Sequence, residues 1–168
     1  MRVGEYEQSS HYGWMTVVDR STTLPAPAGR IWQAVKTPEA FRYVTRGLLS
    51  MPAIRGRQEP WREGETVRGW VFLFGLIPFS YHRLTVACID DVTMTLSSAE
   101  HGGLIRRWNH DIVVAPLTEH SCVYRDTIDI DAGVFTPAVA LYARWFYYMR
   151  QRRWRQLAPT LNSRTRGT

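Results

Sequence analysis

Apolar and polar residues alternate through most of the middle of the chain, in five runs: Thr66 to Phe74, Phe79 to Ile89, Val92 to Glu100, Leu104 to Val114 and Ser121 to Asp131. Alternation with a period of two marks strands that bury one face. The separators are Gly75 to Pro78, Asp90-Asp91, His101-Gly102-Gly103 and Ala115 to His120, all of hairpin length, so the runs predict an antiparallel meander.

The flanks read differently. Thr16 to Leu24 is rich in Thr and Val and predicts a first strand, closed by Pro25-Ala26-Pro27. Ile31, Trp32 and Val35 then recur at helical spacing, and Thr37-Pro38-Glu39 predicts a second short helix, with Thr37 as its N-cap, running through Phe41, Tyr43 and Val44. A loop-rich stretch punctuated by Gly47, Pro52, Gly56 and Pro60 leaves room for at most one short strand. Beyond the meander, Thr136 and Pro137 form a helix start, and Val139, Tyr142, Phe146, Met149, Arg153 and Leu157 repeat at three and four residues. One long amphipathic helix is predicted, stopped by Pro159. The expected class is therefore α+β: a polar arm over residues 1–15, one domain over 16–158 and a polar tail over 159–168.

Composition narrows the function classes. With 168 residues and 45% hydrophobic content the chain suits one domain with a sizeable core. Its longest apolar stretches, such as Val71 to Ile77, fall far short of the roughly 20 residues that cross a bilayer, and no secretory pattern opens the chain, so a cytoplasmic protein without stable membrane insertion is expected. Cys88 and Cys122 sit in strand-like runs without metal-ligand or CxxC spacing, which predicts buried reduced thiols and no metal site. The net charge of +6 comes almost entirely from arginine, Lys36 being the only lysine. The dense cluster Arg150, Arg152, Arg153 and Arg155 lies near the predicted helix end, where cations meet the helix dipole; with no binding motif beside it, no nucleic-acid partner is expected.

The order strand, two short helices, long meander and terminal helix resembles the START-like, or helix-grip (SRPBCC), superfamily, which includes birch pollen allergen relatives, lipid-transfer domains and bacterial polyketide cyclases. The likeness runs from Thr16 to Leu157. In detail it is similar to the polyketide cyclase/dehydratase-like branch, in Leu24-Pro25-Ala26-Pro27 before a helix carrying Ile31-Trp32, in Trp61-Arg62-Glu63-Gly64-Glu65 before a strand, and in Tyr124-Arg125-Asp126 in the last strand. The resemblance implies a curved antiparallel sheet of six or seven strands wrapped around the last helix, with a cavity between them that receives an apolar small molecule and needs no cofactor. The superfamily shares no catalytic motif, so no catalytic residue is carried over from it.

Candidate site residues follow instead from strand parity. The even set of Leu104 to Val114 holds Arg106, Trp108, His110, Ile112 and Val114, and that of the last strand holds Cys122, Tyr124, Asp126, Ile128 and Ile130. Pairing Val114 with Cys122 sets Ile112 opposite Tyr124 and His110 opposite Asp126, within reach of an imidazole–carboxylate bond. Pairing Glu100 with Leu104 sets Met94 beside His110 and brings Glu100 and Arg106 to one end of the cavity. Even parity also points Leu96 inward, together with Trp70 and Phe72 of the run from Thr66. His82 and Leu84 point in only if a bulge or a longer loop offsets a two-residue Asp90-Asp91 turn. Tyr142, Phe146 and Met149 face them from the helix.

A histidine held by Asp126 has one tautomer fixed and is equipped for general base work, with Tyr124 and Glu100 as proton donors; equally, the pair is a satisfied buried contact between two strands. The expected protein is a monomer or homodimer that binds a hydrophobic small molecule, with polycyclic and polyketide-like compounds among the candidates. The alternatives are a cofactor-independent cyclase or dehydratase, and a regulatory protein-interaction module with a filled interior. The apolar loop Phe74 to Phe79 is read as a lip of the cavity mouth or a dimer contact, or else as folded onto a helix, with transient membrane contact a minor option.

Overall fold

A computed structural model describes residues 15–163, so the arm expected at the N-terminus lies, but for its last residue, outside the described residues, as does the chain after 163. Strand β1 spans Thr16–Leu24, and Pro25 and Pro27 end it. Helix α1 (Ala28–Val35) buries Ile31, Trp32 and Val35. Helix α2 (Pro38–Thr45) starts as predicted, the Thr37 hydroxyl accepting from the Ala40 amide at 3.2 Å with Pro38 in the first turn. A short strand β2 (Leu49–Ser50) and a single 3-10 turn (Pro52–Ile54) fill the loop-rich stretch.

The meander follows as β3 (Thr66–Leu73), β4 (Ile77–Asp90), β5 (Thr95–Gly102), β6 (Ile105–Thr118) and β7 (Ser121–Asp131). The seven strands form one sheet in the order β1-β7-β6-β5-β4-β3-β2, with every pairing antiparallel. Helix α3 (Thr136–Ser163) lies along its concave side, packed on β1, β7 and α2. This is the helix-grip architecture that the element order predicts.

Three registers differ from the sequence expectation. Strand β6 continues through Pro116 to Thr118, leaving only Glu119 and His120 as the turn; Val114 therefore faces Tyr124, Ile112 faces Asp126 and His110 faces Ile128, two residues from the expected alignment. Pro116 is tolerated because the ladder bulges beside it, between Pro116 and Thr118. Between β5 and β6, Glu100 pairs with Trp108 and Ser98 with His110, and a bulge sets Arg106 and Arg107 against His101, so Arg106 turns outward while Trp108 turns in. Met94 is not beside His110: it sits in the connection from β4 with φ 50°, its carbonyl accepting from Val114 N.

That connection is a four-residue loop, Asp91 to Met94, rather than an Asp90-Asp91 turn. The Asp90 carboxylate accepts from the amides of Val92 and Thr93, while the Asp91 carboxylate is held by Trp32 Nε1 and Lys36 Nζ, both at 2.6 Å. Side chains that satisfy the loop backbone and tie it to α1 favour the longer connection. A bulge at Ala87, between the pairs Val86–Ser98 and Cys88–Ser97, then keeps His82, Leu84 and Val86 on the inner face and turns Cys88 out. The expectation that both cysteines are buried fails for Cys88, which is exposed; Cys122 is buried.

Helix α3 does not stop at Pro159, and the tail expected from that residue is helical as far as Ser163. Ala158 is fully buried, Leu161 packs on the larger core cluster and the Asn162 amide donates to Pro25 O, so the last turn has tertiary partners that offset the proline's missing bond. Consequently the arginine cluster lies in the body of the helix and not at its dipole end. Thr136, expected as an N-cap, instead donates to Gly133 O and accepts from Ala132 N, closing the 3-10 turn (Gly133–Phe135) on which the helix starts.

Candidate functional site

Between the concave face of the sheet and α3 lies a cavity of about 340 Å³. From the sheet it is walled by Val71 and Leu73 of β3, His82 and Leu84 of β4, Glu100 of β5 and Trp108 and His110 of β6. Helix α3 supplies Ala138, Val139, Tyr142, Phe146, Tyr147 and Arg150, while Phe79, Leu104 and Phe135 stand at the edge. The wall is mostly apolar with a few polar groups, the composition of small-molecule pockets. In the loop between the lining residues Leu73 and Phe79, Phe74, Leu76 and Ile77 are exposed, and the Phe74 ring lies 5.9 Å from that of Trp145 on α3. The loop thus exposes its tip to solvent and touches helix α3 through Phe74, so it is not folded down on the helix along its length.

A second chamber of about 40 Å³ adjoins the first, lined by Trp61, Leu96, Ser98, Ile112 and Trp154 among others. Phe41, Leu84, Glu100, His110 and Arg150 border both chambers. Polar side chains therefore cluster at the junction, deep inside an otherwise apolar interior.

The polar cluster has a hub. Asp126 is fully buried behind the wall: its Oδ1 accepts from His110 Nε2 at 2.9 Å and from Tyr124 Oη at 2.9 Å, and its Oδ2 accepts from Gln151 Nε2 at 3.1 Å. His110 and Asp126 meet diagonally across β6 and β7 rather than face to face, which the inner-face spacing of neighbouring strands permits. The carboxylate acceptor assigns the proton to His110 Nε2. Arg150 Nη1 stands 3.8 Å from Asp126 Oδ1, and its guanidinium lies over the Tyr147 ring. Burial alone would push the Asp126 carboxyl up, but Arg150, His110 and Gln151 outweigh it and hold it below the usual carboxylate range. Burial pushes the Tyr124 phenol well up, so it remains a neutral donor. For Arg150, burial opposes the charge and the surrounding Tyr124, Asp126, Tyr147 and Glu100 more than restore it. Beside the hub, His82 Nε2 lies 3.4 Å from Glu100 Oε2, and Ser98 Oγ donates to Glu100 Oε1 at 2.9 Å.

Of the residues expected at the site, His82, Leu84, Glu100, Trp108, His110, Tyr142 and Phe146 line the main cavity, and Leu96 and Ile112 line the small chamber. Tyr124 and Asp126 touch neither; both are buried one layer behind. Trp70 and Phe72 are corrections: the odd face of β3 points in, Gly69 packs so tightly that a Cβ would stand 2.8 Å from Ala53 Cβ, and Trp70 is 51% exposed, ring against edge with Tyr81 on the outer face. Arg106 is exposed beside Gly133, Met94 packs on the core from its loop, and Met149 packs on the second core cluster without reaching the cavity wall.

Arg150, Tyr147 and Gln151 escaped the sequence reading. They lie on the buried row of α3 that runs through Ala140, Ala143, Tyr147, Trp154 and Ala158, one position from the row the periodicity selected. The small residues Ala140 and Ala143 together with Trp154 signal that row, but Arg150 and Gln151 at its centre read as solvent-facing.

A curved seven-stranded sheet that grips one long helix over an apolar cavity defines the START-like class of folds. Solved structures with this fold include a START superfamily protein from Mycobacterium smegmatis (TM-score 0.65, 15% identity, covering 86% of this chain and 98% of that one). Truncated norcoclaurine synthase from Thalictrum flavum matches with a TM-score of 0.63 at 15% identity, over 86% of this chain and 94% of that one. The Zhui aromatase/cyclase from Streptomyces sp. R1128 matches with 0.61 at 15%, over 91% and 97%. At that identity the likeness is one of fold. The chain belongs to the DUF8410 family, described as a domain of unknown function, whose model matches residues 22–158. No curated protein matches its sequence. Among the described residues, no helix is long and apolar enough to cross a membrane, and no group of His, Cys, Asp and Glu is placed to hold a metal ion.

Proposed function

We propose that this protein binds a hydrophobic small molecule between the sheet and α3. The observation that carries the reading is the cavity itself: about 340 Å³, largely apolar, with exposed Phe79, Leu104 and Phe135 in its wall. Solved structures of like fold include a norcoclaurine synthase in complex with dopamine and hydroxybenzaldehyde and an aromatase/cyclase, which agrees with a small aromatic ligand here. An open interior favours a ligand over a protein-interaction module. The test is saturable binding of the neutral fluorophore N-phenyl-1-naphthylamine, with native mass spectrometry of freshly purified protein for a retained lipophilic compound. One probe per chain is expected, and Leu84→Trp, which fills the cavity from β4, abolishes binding without unfolding the protein. A probe that does not bind the wild-type protein, or binds the filled variant equally well, overturns the reading.

A second reading, a cofactor-independent enzyme of the cyclase or dehydratase type, is favoured by one observation: His110 lies on the cavity wall with its Nε2 engaged by Asp126, which leaves Nδ1 as the acceptor of the neutral ring. In that role His110 exchanges protons with the ligand, Glu100 is the second acid–base group at the wall, and Asp126 and Tyr124 position the imidazole from behind. His110→Gln then abolishes conversion of a co-purified compound while its affinity stays within a factor of about three. Retained conversion removes His110 from the chemistry.

A further inference from the structure

Arg150 is only 5% exposed, yet its Nε has no hydrogen-bond partner among the described residues, and its Nη1 lies beyond hydrogen-bonding distance of Asp126. Asp126 does not remedy this: its oxygens are held by His110, Tyr124 and Gln151, and the guanidinium stays 3.8 Å from the nearer one. A guanidinium withdrawn from water with donors unmatched is costly, and such a group in a cavity wall calls for an acceptor from the ligand. Glu100 is the converse case. Its oxygens receive Ser98 Oγ and face His82, while a carboxylate offers about four lone-pair sites, so it has acceptor capacity left for a ligand donor.

Position and charge restrict what that ligand end is. Glu100 and Arg150 both border the junction of the two chambers, at the inner end of the main cavity. The small chamber, at about 40 Å³, admits water and no ring, so a ligand's body occupies the large chamber and its head stops at the junction. Two carboxylates, Asp126 and Glu100, already surround the one guanidinium, so a further anion meets an excess of negative charge when the imidazoles are neutral.

Resting on the ligand-binding reading above, we infer that the ligand has an apolar aromatic-sized body and a neutral oxygenated head at the junction, a carbonyl oxygen received by Arg150 and a hydroxyl donating to Glu100. The two residues thus determine specificity from opposite sides of one head.

Displacement of N-phenyl-1-naphthylamine by naphthalene, 2-acetylnaphthalene, 2-naphthol and 2-naphthoate tests this. In the wild-type protein the ketone and the naphthol each compete about tenfold better than naphthalene, the factor expected of one hydrogen bond made in a dry site, and naphthoate competes less well than the ketone. Arg150→Met removes the preference for the ketone and keeps that for the naphthol; Glu100→Met does the reverse. Equal competition by all the neutral compounds in the wild type, naphthoate as the best competitor, or head preferences unchanged in both variants each overturns the inference. The wild-type ranking needs no variant, so it decides the matter even if Arg150→Met fails to fold. Failure of the fluorophore to bind at all is a different result, which removes the cavity reading itself.

Discussion

Replacing Asp126 with Asn keeps the shape of the hub and deletes its charge. In the native protein that carboxylate accepts from His110, Tyr124 and Gln151 and faces Arg150, all buried. An amide offers only one acceptor oxygen, so one of the donors on opposite sides meets an NH2 group, and Arg150 loses its nearest buried counter-charge. Removing one partner of a buried ion pair costs about 3 to 5 kcal/mol, a large part of the roughly 5 to 15 kcal/mol that holds a domain folded. For a chain of this size that lowers the melting temperature by about 6 to 20 °C. Urea denaturation followed by circular dichroism reads the loss directly. The sign with pH follows from the direction of the shift: Asp126 is held below its ordinary value, so the unfolded chain binds the proton first as pH falls. Its stabilisation is present above about pH 4 and is lost as pH drops through the folded value. The variant's acid limb is therefore flatter than that of the wild type. A variant within 1 kcal/mol of wild type at pH 7, with an unchanged acid limb, refutes the account of Asp126 as the hub.

Native protein treated with a thiol reagent at pH 8 releases about one equivalent, from exposed Cys88, because Cys122 is buried and its thiol is pushed up to about 11 by burial; two equivalents before unfolding contradict this placement. Gly102→Ala drives a Cβ into the Tyr81 carbonyl and to 2.8 Å from His82 Cα, so it destabilises by about 1 to 3 kcal/mol in urea titration and disturbs the His82–Glu100 pair; a neutral substitution means that the β4–β5 contact is looser than described. Pro159→Ala restores a helix bond inside α3 and raises unfolding free energy by about 1 to 3 kcal/mol, whereas a loss shows that the helix does end there. Trp70→Ala, on the outer face, leaves fluorophore binding within a factor of two, and a loss of binding returns Trp70 to the cavity.

The candidate site was legible where one face of a strand was plainly more apolar. In β7 the even residues are all buried, and the inward placement of Tyr124, Asp126, Ile128 and Ile130 follows from the alternation alone. The His110–Asp126 contact survived a register error because a shift of two residues preserves the face, and an imidazole reaches diagonally as well as across. Trp70 and Phe72 were misplaced because β3 carries apolar residues of both parities near Val71. What decided between them was the contact of Gly69 with Ala53, which no local pattern contains.

Local chemistry by itself determined the order of elements: β1 closed by prolines, the Thr37-Pro38 helix start, the meander and one long terminal helix. Periodicity and capping act within a few residues, so the sequence carries them openly. Tertiary structure alone decided the bulges that turned Cys88 and Arg106 outward, the passage of α3 through Pro159, and the burial of Arg150 at the end of the cavity. Each of these depends on which distant groups offset a local cost: Trp32 and Lys36 for the loop at Asp91, Pro25 for the last helical turn, Asp126 and Glu100 for a guanidinium removed from water. Such compensation arises between residues far apart in the chain, and it exists only once the sheet has closed around the helix.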